Sequence, residues 1–216
     1  MATDTKEKLL DAAEELFAGQ GIDGVSLRAI THAADVNLAS VNYHFGSKEG
    51  LVRAVFARRI GAVNRERIAL LDAAESEAGD GPLAVEKILY AMFSPAIRLS
   101  QDPAKGRRFM RMCGRFYAEP AGYLDGVFEE EFAELIQRMD RAFHRAMPGL
   151  PEKDLQGRVN FSVGVMVHTM MDSDRSRRWI RGICDPADVD GTIDAMIRFS
   201  AAGMNAAPSI VSAEGD

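Results

Sequence analysis

The chain has 216 residues, 47% of them apolar and 27% charged, with a net charge of −6. That balance belongs to a folded, soluble protein and excludes wholesale disorder, and its sign argues against a protein that coats nucleic acid non-specifically. Two cysteines, Cys113 and Cys184, are too few for a disulfide-stapled scaffold or a four-cysteine zinc site.

Apolar positions recur with helical period, and no segment of 4–8 residues alternates cleanly enough to argue a strand, so the expected fold class is all-α. Asp4 or Thr5 is expected to cap a first helix, with Glu7 as a capping-box partner of Asp4. Leu9, Ala13, Leu16 and Phe17 share its inner face, and Gly19 and Gly21 end it. Ser26 is expected to cap a short second helix that turns Ile30 and Ala33 inward. Ala34 to Asn37 make a turn, and a third short helix covers about Leu38–Phe45. Gly46 stands where a helix C-terminus favours a left-handed residue, and Ser47 caps a long fourth helix reaching about Glu75.

Beyond Gly79-Asp80-Gly81, five further helices are expected: Pro82–Ser100, Pro103–Ala118, Pro120–Met147, Pro151–Met171 and Ala187–Ala206. Prolines at or near their starts cost little, because the first N–H groups of a helix have no partner within it. Phe128, Phe132, Leu135, Met139 and Phe143 form one stripe of the third of these, with Glu129, Glu130, Glu131 and Glu134 away from it. The uncharged run Val159–Met171 is apolar nearly all round, so cover on more than one side is expected. At 13 residues it is too short for a bilayer, which needs about 20. No signal peptide is read at the N-terminus, so a reducing cytoplasm and no membrane are the expectation. The tail from Pro208 is small and polar and is expected to fray.

Gly19-Gln20-Gly21-Ile22-Asp23-Gly24 matches the dinucleotide fingerprint letter for letter. A helix, not a strand, precedes it, so the glycines read as a helix stop and turn. Ser26 to Lys48 carries more information. Two short helices joined by a four-residue turn make a helix-turn-helix. The second is too polar for a core: Asn37, Ser40, Asn42, Tyr43 and His44 fall within eight residues, while Val41 and Phe45 can anchor its inner side. Ala39 and Ser40 are small enough for the backbone to approach a groove floor, and Asn and Ser have base-edge partners. Lys48 and the first N–H groups of the fourth helix offer a phosphate site. Residues 26–67 hold seven Lys+Arg against three Asp+Glu, so the acids Asp11, Glu14 and Glu15 of the first helix are expected to face away from DNA.

Phe17-Ala-Gly-Gln-Gly21, Gly24-Val-Ser26 and Val41-Asn-Tyr-His-Phe-Gly-Ser-Lys-Glu-Gly-Leu51 resemble the N-terminal domain of the TetR family of transcriptional repressors over about residues 5–55. Arg107–Pro120, Phe161–His168 and the ending from Cys184 to Gly203 resemble the PsrA-type C-terminal domain of that family, a branch associated with fatty-acid signals. The resemblance makes residues 38–45 the recognition helix and puts Tyr43, His44 and Lys48 at phosphates, with Arg28 also close to the backbone. Position 42 is often tyrosine in the family and position 38 lysine. Asn42 and Leu38 therefore remove one phosphate contact and add an apolar one.

The implied organisation is a DNA-binding domain at 1–46 and an effector-binding and dimerisation domain at 47–216, joined through the fourth helix. The expected protein is a homodimeric repressor on a palindromic double-stranded operator, released by a small apolar effector such as a fatty acid or acyl-CoA. Candidate pocket residues are Met92, Phe93, Met110, Cys113, Phe116, Met166 and Met170, with His168 as a core histidine or a contact to the effector's polar head. The acid-free arginine face Arg107, Arg111 and Arg115 reads as solvated, or paired with the acidic first helix, or as an anion site. Arg175, Arg177, Arg178 and Arg181 flank Trp179 in a connecting segment. Dimerisation is expected through Gly157–Met171 and Asp188–Ala206, with Gly157, Ser162 and Gly164 allowing close approach and Met196, Ile197 and Ala201 adding apolar contact. The histidines show no metal-ligand spacing, so neither a metal nor a cofactor is expected. The alternative is a helical-bundle enzyme acting on acyl groups through Cys113, disfavoured because no nucleophile–base pair appears.

Overall fold

A computed structural model of the chain describes residues 2–102, 106, 110, 125–170 and 188–208. Among these residues there are eight helices and no strand. They are α1 (Ala2–Gln20), α2 (Leu27–Ala33), α3 (Leu38–Phe45), α4 (Lys48–Ala78), α5 (Val85–Gln101), α6 (Asp125–Ala146), α7 (Glu152–Met170) and α8 (Val189–Met204). Two compact units are formed, one by residues 1–65 and 99–135, the other by 66–98 and 136–216. The helix expected over Pro103–Ala118 lies almost wholly outside the described residues. So do Cys113, Phe116, the arginines at 107, 108, 111 and 115, Cys184, and the segment holding Trp179 and its arginines.

In the first unit the apolar stripes of short helices converge on one core. Leu9, Ala13 and Phe17 of α1, Ile30 of α2, Val41 of α3 and Phe56 of α4 are all essentially inaccessible to solvent. A fully buried side chain of this size is worth about 1.5–3 kcal/mol, which a seven-residue helix such as α2 needs because it is too short to be stable alone. Leu99, Met110 and Phe132 pack against the same cluster. This unit therefore extends well past residue 46, and Met110 lies with the small helices rather than with Met92 and Phe93.

Local chemistry sets the helix ends. Ser26 Oγ accepts from Ala29 N at 3.1 Å, and Ser47 Oγ accepts from Gly50 N at 3.1 Å, as their positions predict. Gly46 has φ 72°. Gly21, at φ 80°, stops α1, whereas Gly19 stays inside its last turn. Two expectations are corrected. α1 begins at Ala2, so Asp4 lies within its first turn instead of capping it. The inward residue at the end of α2 is Ala34, while Ala33 is exposed. Ala33 and Ala34 lie three and four residues after Ile30, and Ala34, still right-handed, is the one that faces the core. Asp35 then takes φ 53°, its N–H bonds the His32 carbonyl, and the next N–H closes back on Thr31. This left-handed stop turns the chain out of α2 without a glycine.

The second unit is built on Leu71 of α4, Ile88, Leu89 and Phe93 of α5, Phe143 of α6, and α7 packed on α8. In α6 Leu135, Met139 and Phe143 are buried and Phe132 half-buried, with Glu129, Glu130 and Glu134 exposed as expected; Glu131 is half-buried, and the side chain of Phe128 lies outside the described residues. Pro95 lies inside α5, not at its start, so that turn lacks one backbone donor. Arginines close the ends of several elements. Arg145 donates to the Gly79 carbonyl and, at 2.6 Å, to that of Gly81. Arg158 donates to the carbonyls of Met204, Ala206 and Ala207 at 2.6–2.8 Å, which satisfies acceptors left open at the end of α8.

Candidate nucleic-acid interface

The helix-turn-helix is α2, a four-residue turn and α3. Asn37 caps α3, its Oδ1 accepting from Ala39 N at 2.9 Å. That bond engages one lone pair of Oδ1 in the cap and holds the side chain at the helix start, with its amide donors still unused by the cap. Val41 is fully buried and Phe45 packs against the core, so α3 is pinned along one side. The opposite side is polar and open. Asn42 and Ala39 are exposed, Ser40 and His44 are half-buried, and Leu38 is 39% exposed at the helix start. Tyr43 is 82% exposed and meets the His44 ring edge-on, with centroids 4.9 Å apart. Its hydroxyl and ring are thus available to a partner on this side of α3.

Arg28 is exposed near the start of α2, and Lys48 is the first residue of α4. With Ser47 capping the same terminus, Lys48 and the positive end of the α4 dipole form an anion-attracting corner, although Gly50 N is already bonded to Ser47 Oγ. Glu49 opposes it. Its carboxyl is held below the usual range by a backbone hydrogen bond and then by Ser47, so the carboxylate stays charged beside Lys48.

The cationic stretch from 26 to 67 is less available to DNA than its composition suggests. Glu14, only 4% exposed, accepts from Arg58 at 2.5 Å and from Arg59 Nε at 3.0 Å. Arg58 also reaches Asp11 at 2.8 Å and Glu7 at 3.2 Å. Burial alone would lower the Arg58 guanidinium, but its bonds to Glu14 and Asp11 outweigh this and raise it. The acids of α1 therefore do not simply face away from DNA; they neutralise two of the seven cations. Arg67 is a third, because it is buried in the other unit, where it donates to the Met92 carbonyl at 2.9 Å and to Met166 Sδ at 3.2 Å. Burial pushes it down to about 10, so it remains charged at neutral pH.

The pocket candidates are dispersed. Met92, Phe93 and Met166 are buried together with Arg67 in the second unit, and Met170 is half-buried. His168 is exposed, not a core residue as expected. It lines an open groove of about 600 Å³ between α7 and α8, with Val165, Thr169, Thr192, Ala195 and Phe199. The run Val159–Met171, expected to be covered on several sides, leaves Phe161 72% exposed, and Phe199 of α8 is 70% exposed. Ser162, Ile197 and Ala201 pack within the protomer instead. No described helix is long and apolar enough to cross a membrane.

Residues 9–55 match the N-terminal model of the bacterial regulatory proteins of the tetR family, and residues 90–203 match the tetracyclin repressor-like C-terminal domain. YttP of Bacillus subtilis (strain 168), described as a probable HTH-type transcriptional regulator, is 42% identical over 52 residues. That segment is 24% of this chain and 25% of YttP, so the likeness spans about a quarter of the curated relative. The FadR transcriptional regulator of Bacillus subtilis, solved with stearoyl-CoA, superposes with a TM-score of 0.65 at 14% identity, covering 91% of this chain and 98% of FadR. AibR, solved with isovaleryl coenzyme A and operator DNA, gives 0.64 at 14% identity, over 90% and 97% of the two chains. At such identities the likeness to FadR and AibR is one of fold, but the second domain model alone covers more than half of the residues. With both domain models matched in order and a helix-turn-helix whose polar face is open, the chain belongs to the TetR family of transcriptional regulators.

Proposed function

We propose that this regulator is a homodimeric repressor that reads a palindromic operator through α3 and is released when a small apolar effector enters the second unit. The observation that carries DNA reading is the asymmetry of α3: Val41 is locked in the core while Ser40, Asn42 and Tyr43 stand outward. In this reading residues 1–46 read DNA, and 47–216 bind effector and dimerise. The open faces of α7 and α8, with Phe161 and Phe199, support a second copy as partner, since an isolated chain rarely leaves two phenylalanines this exposed on one packed helix pair. Two-fold symmetry then presents two recognition helices to two half-sites.

Arg28, Tyr43, His44 and Lys48 are assigned to phosphates and Leu38, Ala39, Ser40 and Asn42 to base edges, with Asn37 contributing through its amide donors. Lys48→Ala should weaken binding to all sequences and lower the salt slope by about 1. Changing both Ser40 and Asn42 should instead alter which bases are preferred, at roughly 1–3 kcal/mol per lost contact. Fluorescence anisotropy against salt and against a panel of operator variants separates the two, and sedimentation of the complex should count two chains per palindrome. An unchanged base preference in the Ser40/Asn42 double variant removes them as readers.

The buried apolar side chains Met92, Phe93 and Met166 beside the Arg67 guanidinium support an acyl effector with an anionic head, as do the acyl-CoA ligands of FadR and AibR. The coupling is assigned to α4, which is continuous from Lys48 to Ala78, although α5 and α6 also contribute residues to both units. Linkage requires the operator to weaken effector binding by the same factor that effector weakens operator binding. Titration of a long-chain fatty acid and its CoA thioester, with and without operator, tests this. A ligand that binds equally well in both conditions is not the inducer, because equal affinity for two states shifts nothing.

A further inference from the structure

Outside the DNA-reading face, one group of described residues brings an imidazole and two carboxylates together: Asp140 and His144 on α6 and Glu152 in the first turn of α7. Asp140 and His144 are one helical turn apart and share a face. The short connection through Pro151 returns the chain so that Glu152 meets them. The sequence shows no histidine pair at metal-ligand spacing, which is why this group is not visible there; two of its three members are acids, and one arrives from the next helix.

The hydrogen bonds define the imidazole. His144 Nδ1 lies 2.9 Å from the Asp140 main-chain oxygen, and a carbonyl only accepts, so Nδ1 carries a hydrogen. Nε2 lies 2.8 Å from Glu152 Oε2. A neutral ring would there set lone pair against lone pair, so a cation must stand between them, either a proton or a metal ion. Gln156 donates to Glu152 Oε1 at 2.6 Å and so orients the carboxylate. The Asp140 carboxylate lies 3.5 Å from Nδ1, beside the nitrogen that does not face Glu152. An imidazole held through one nitrogen by a main-chain carbonyl, facing a hydrogen-bonded carboxylate with the other, is the arrangement usual around a bound metal.

We propose that Asp140, His144 and Glu152 form a binding site for one divalent transition-metal ion of the zinc type. His144 Nε2 and Glu152 Oε2 are its inner ligands, Asp140 is the third, and water completes the shell. The three ligand atoms lie within 4.8 Å of one another. Bonds of about 2.0–2.1 Å to nitrogen and oxygen at a tetrahedral angle place those atoms roughly 3.3 Å apart, so the pair need open by only about half an ångström. A mixed nitrogen and oxygen set selects zinc-type ions over magnesium or calcium, which take oxygen alone. Binding displaces the proton from Nε2 and ties the end of α6 to the start of α7.

Calorimetric titration of zinc into the chelator-treated full-length protein tests the site. One saturable ion per chain, absent in His144→Ala and weakened about 10–100-fold in Gln156→Ala, is expected, with no heat from magnesium. All three residues are exposed, and circular dichroism should show the variants folded. Zinc held elsewhere, for example on a cysteine, would bind the His144→Ala variant as well as the parent. That result overturns the proposal, as does an imidazole resonance of His144 that titrates identically with and without zinc.

Discussion

Gly50→Ala is expected to destabilise the protein by about 3 kcal/mol and to abolish operator binding at concentrations where the parent binds. A Cβ at Gly50 would collide with the Phe45 carbonyl oxygen, a backbone atom at the end of α3. No flexible side chain can move aside, so α3 or the start of α4 must shift, and overpacking of this kind costs 1–3 kcal/mol or more. The same shift carries Lys48 and the Ser47 cap away from their place beside α3. For a chain of this length the midpoint of thermal unfolding should fall by roughly 6–12 °C. Gly19→Ala is the control. A Cβ there meets nothing within 4 Å, and the residue lies inside α1, so alanine should stabilise by about 0.5–1 kcal/mol. Equal melting temperatures for the two variants would show that the α3–α4 joint is looser than its geometry.

Glu14→Gln should cost about 3 kcal/mol of unfolding free energy in urea titration. The substitution keeps the shape of the side chain but withdraws the carboxylate shared by Arg58 and Arg59. Those arginine side chains are about one-fifth exposed, and Arg58 Nε is already buried without a partner. Removing one member of a buried ion pair typically costs 3–5 kcal/mol, because the other charge is left unmatched, and the remaining bonds of Arg58 to Asp11 and Glu7 keep the value at the low end. Replacing all three together by apolar residues of similar volume should restore most of the loss. A Glu14→Gln variant within 1 kcal/mol of the parent would show that the cluster is solvated in solution. Salt should discriminate between the pairs: the exposed Lys8–Asp4 bridge is screened, while the Glu14 cluster is not.

How far the sequence carried depends on the range of each interaction. The helices, the caps at Ser26 and Ser47 and the left-handed Gly46 were legible because each rests on bonds between residues three or four apart, whose geometry the residue types themselves dictate. The inner and outer sides of α3 were legible for the same reason: Val41 and Phe45 are four apart, and the polar residues between them have no other place to go. The family motif added the role of that helix. Periodicity alone did not choose between Ala33 and Ala34, which lie three and four residues after Ile30 and both fit an inner face; packing selects Ala34.

What the tertiary structure decided are the pairings between distant segments. Periodicity puts Glu14, but not Glu15, on the side of Leu10 and Phe17, yet only the fold supplies its partners, two arginines 44 and 45 residues away. Residues 99–135 join the small helices because Leu99, Met110 and Phe132 reach the same core. His168 lies on an apolar helix but on its open side, and only the packing of α7 on α8 says which side that is. Asp140, His144 and Glu152 meet because a connection of a few residues reverses the chain. Periodicity states which residues share a face; which partner that face meets is set by the whole chain closing on itself, and charge, burial and the chemistry of a site follow from the partner.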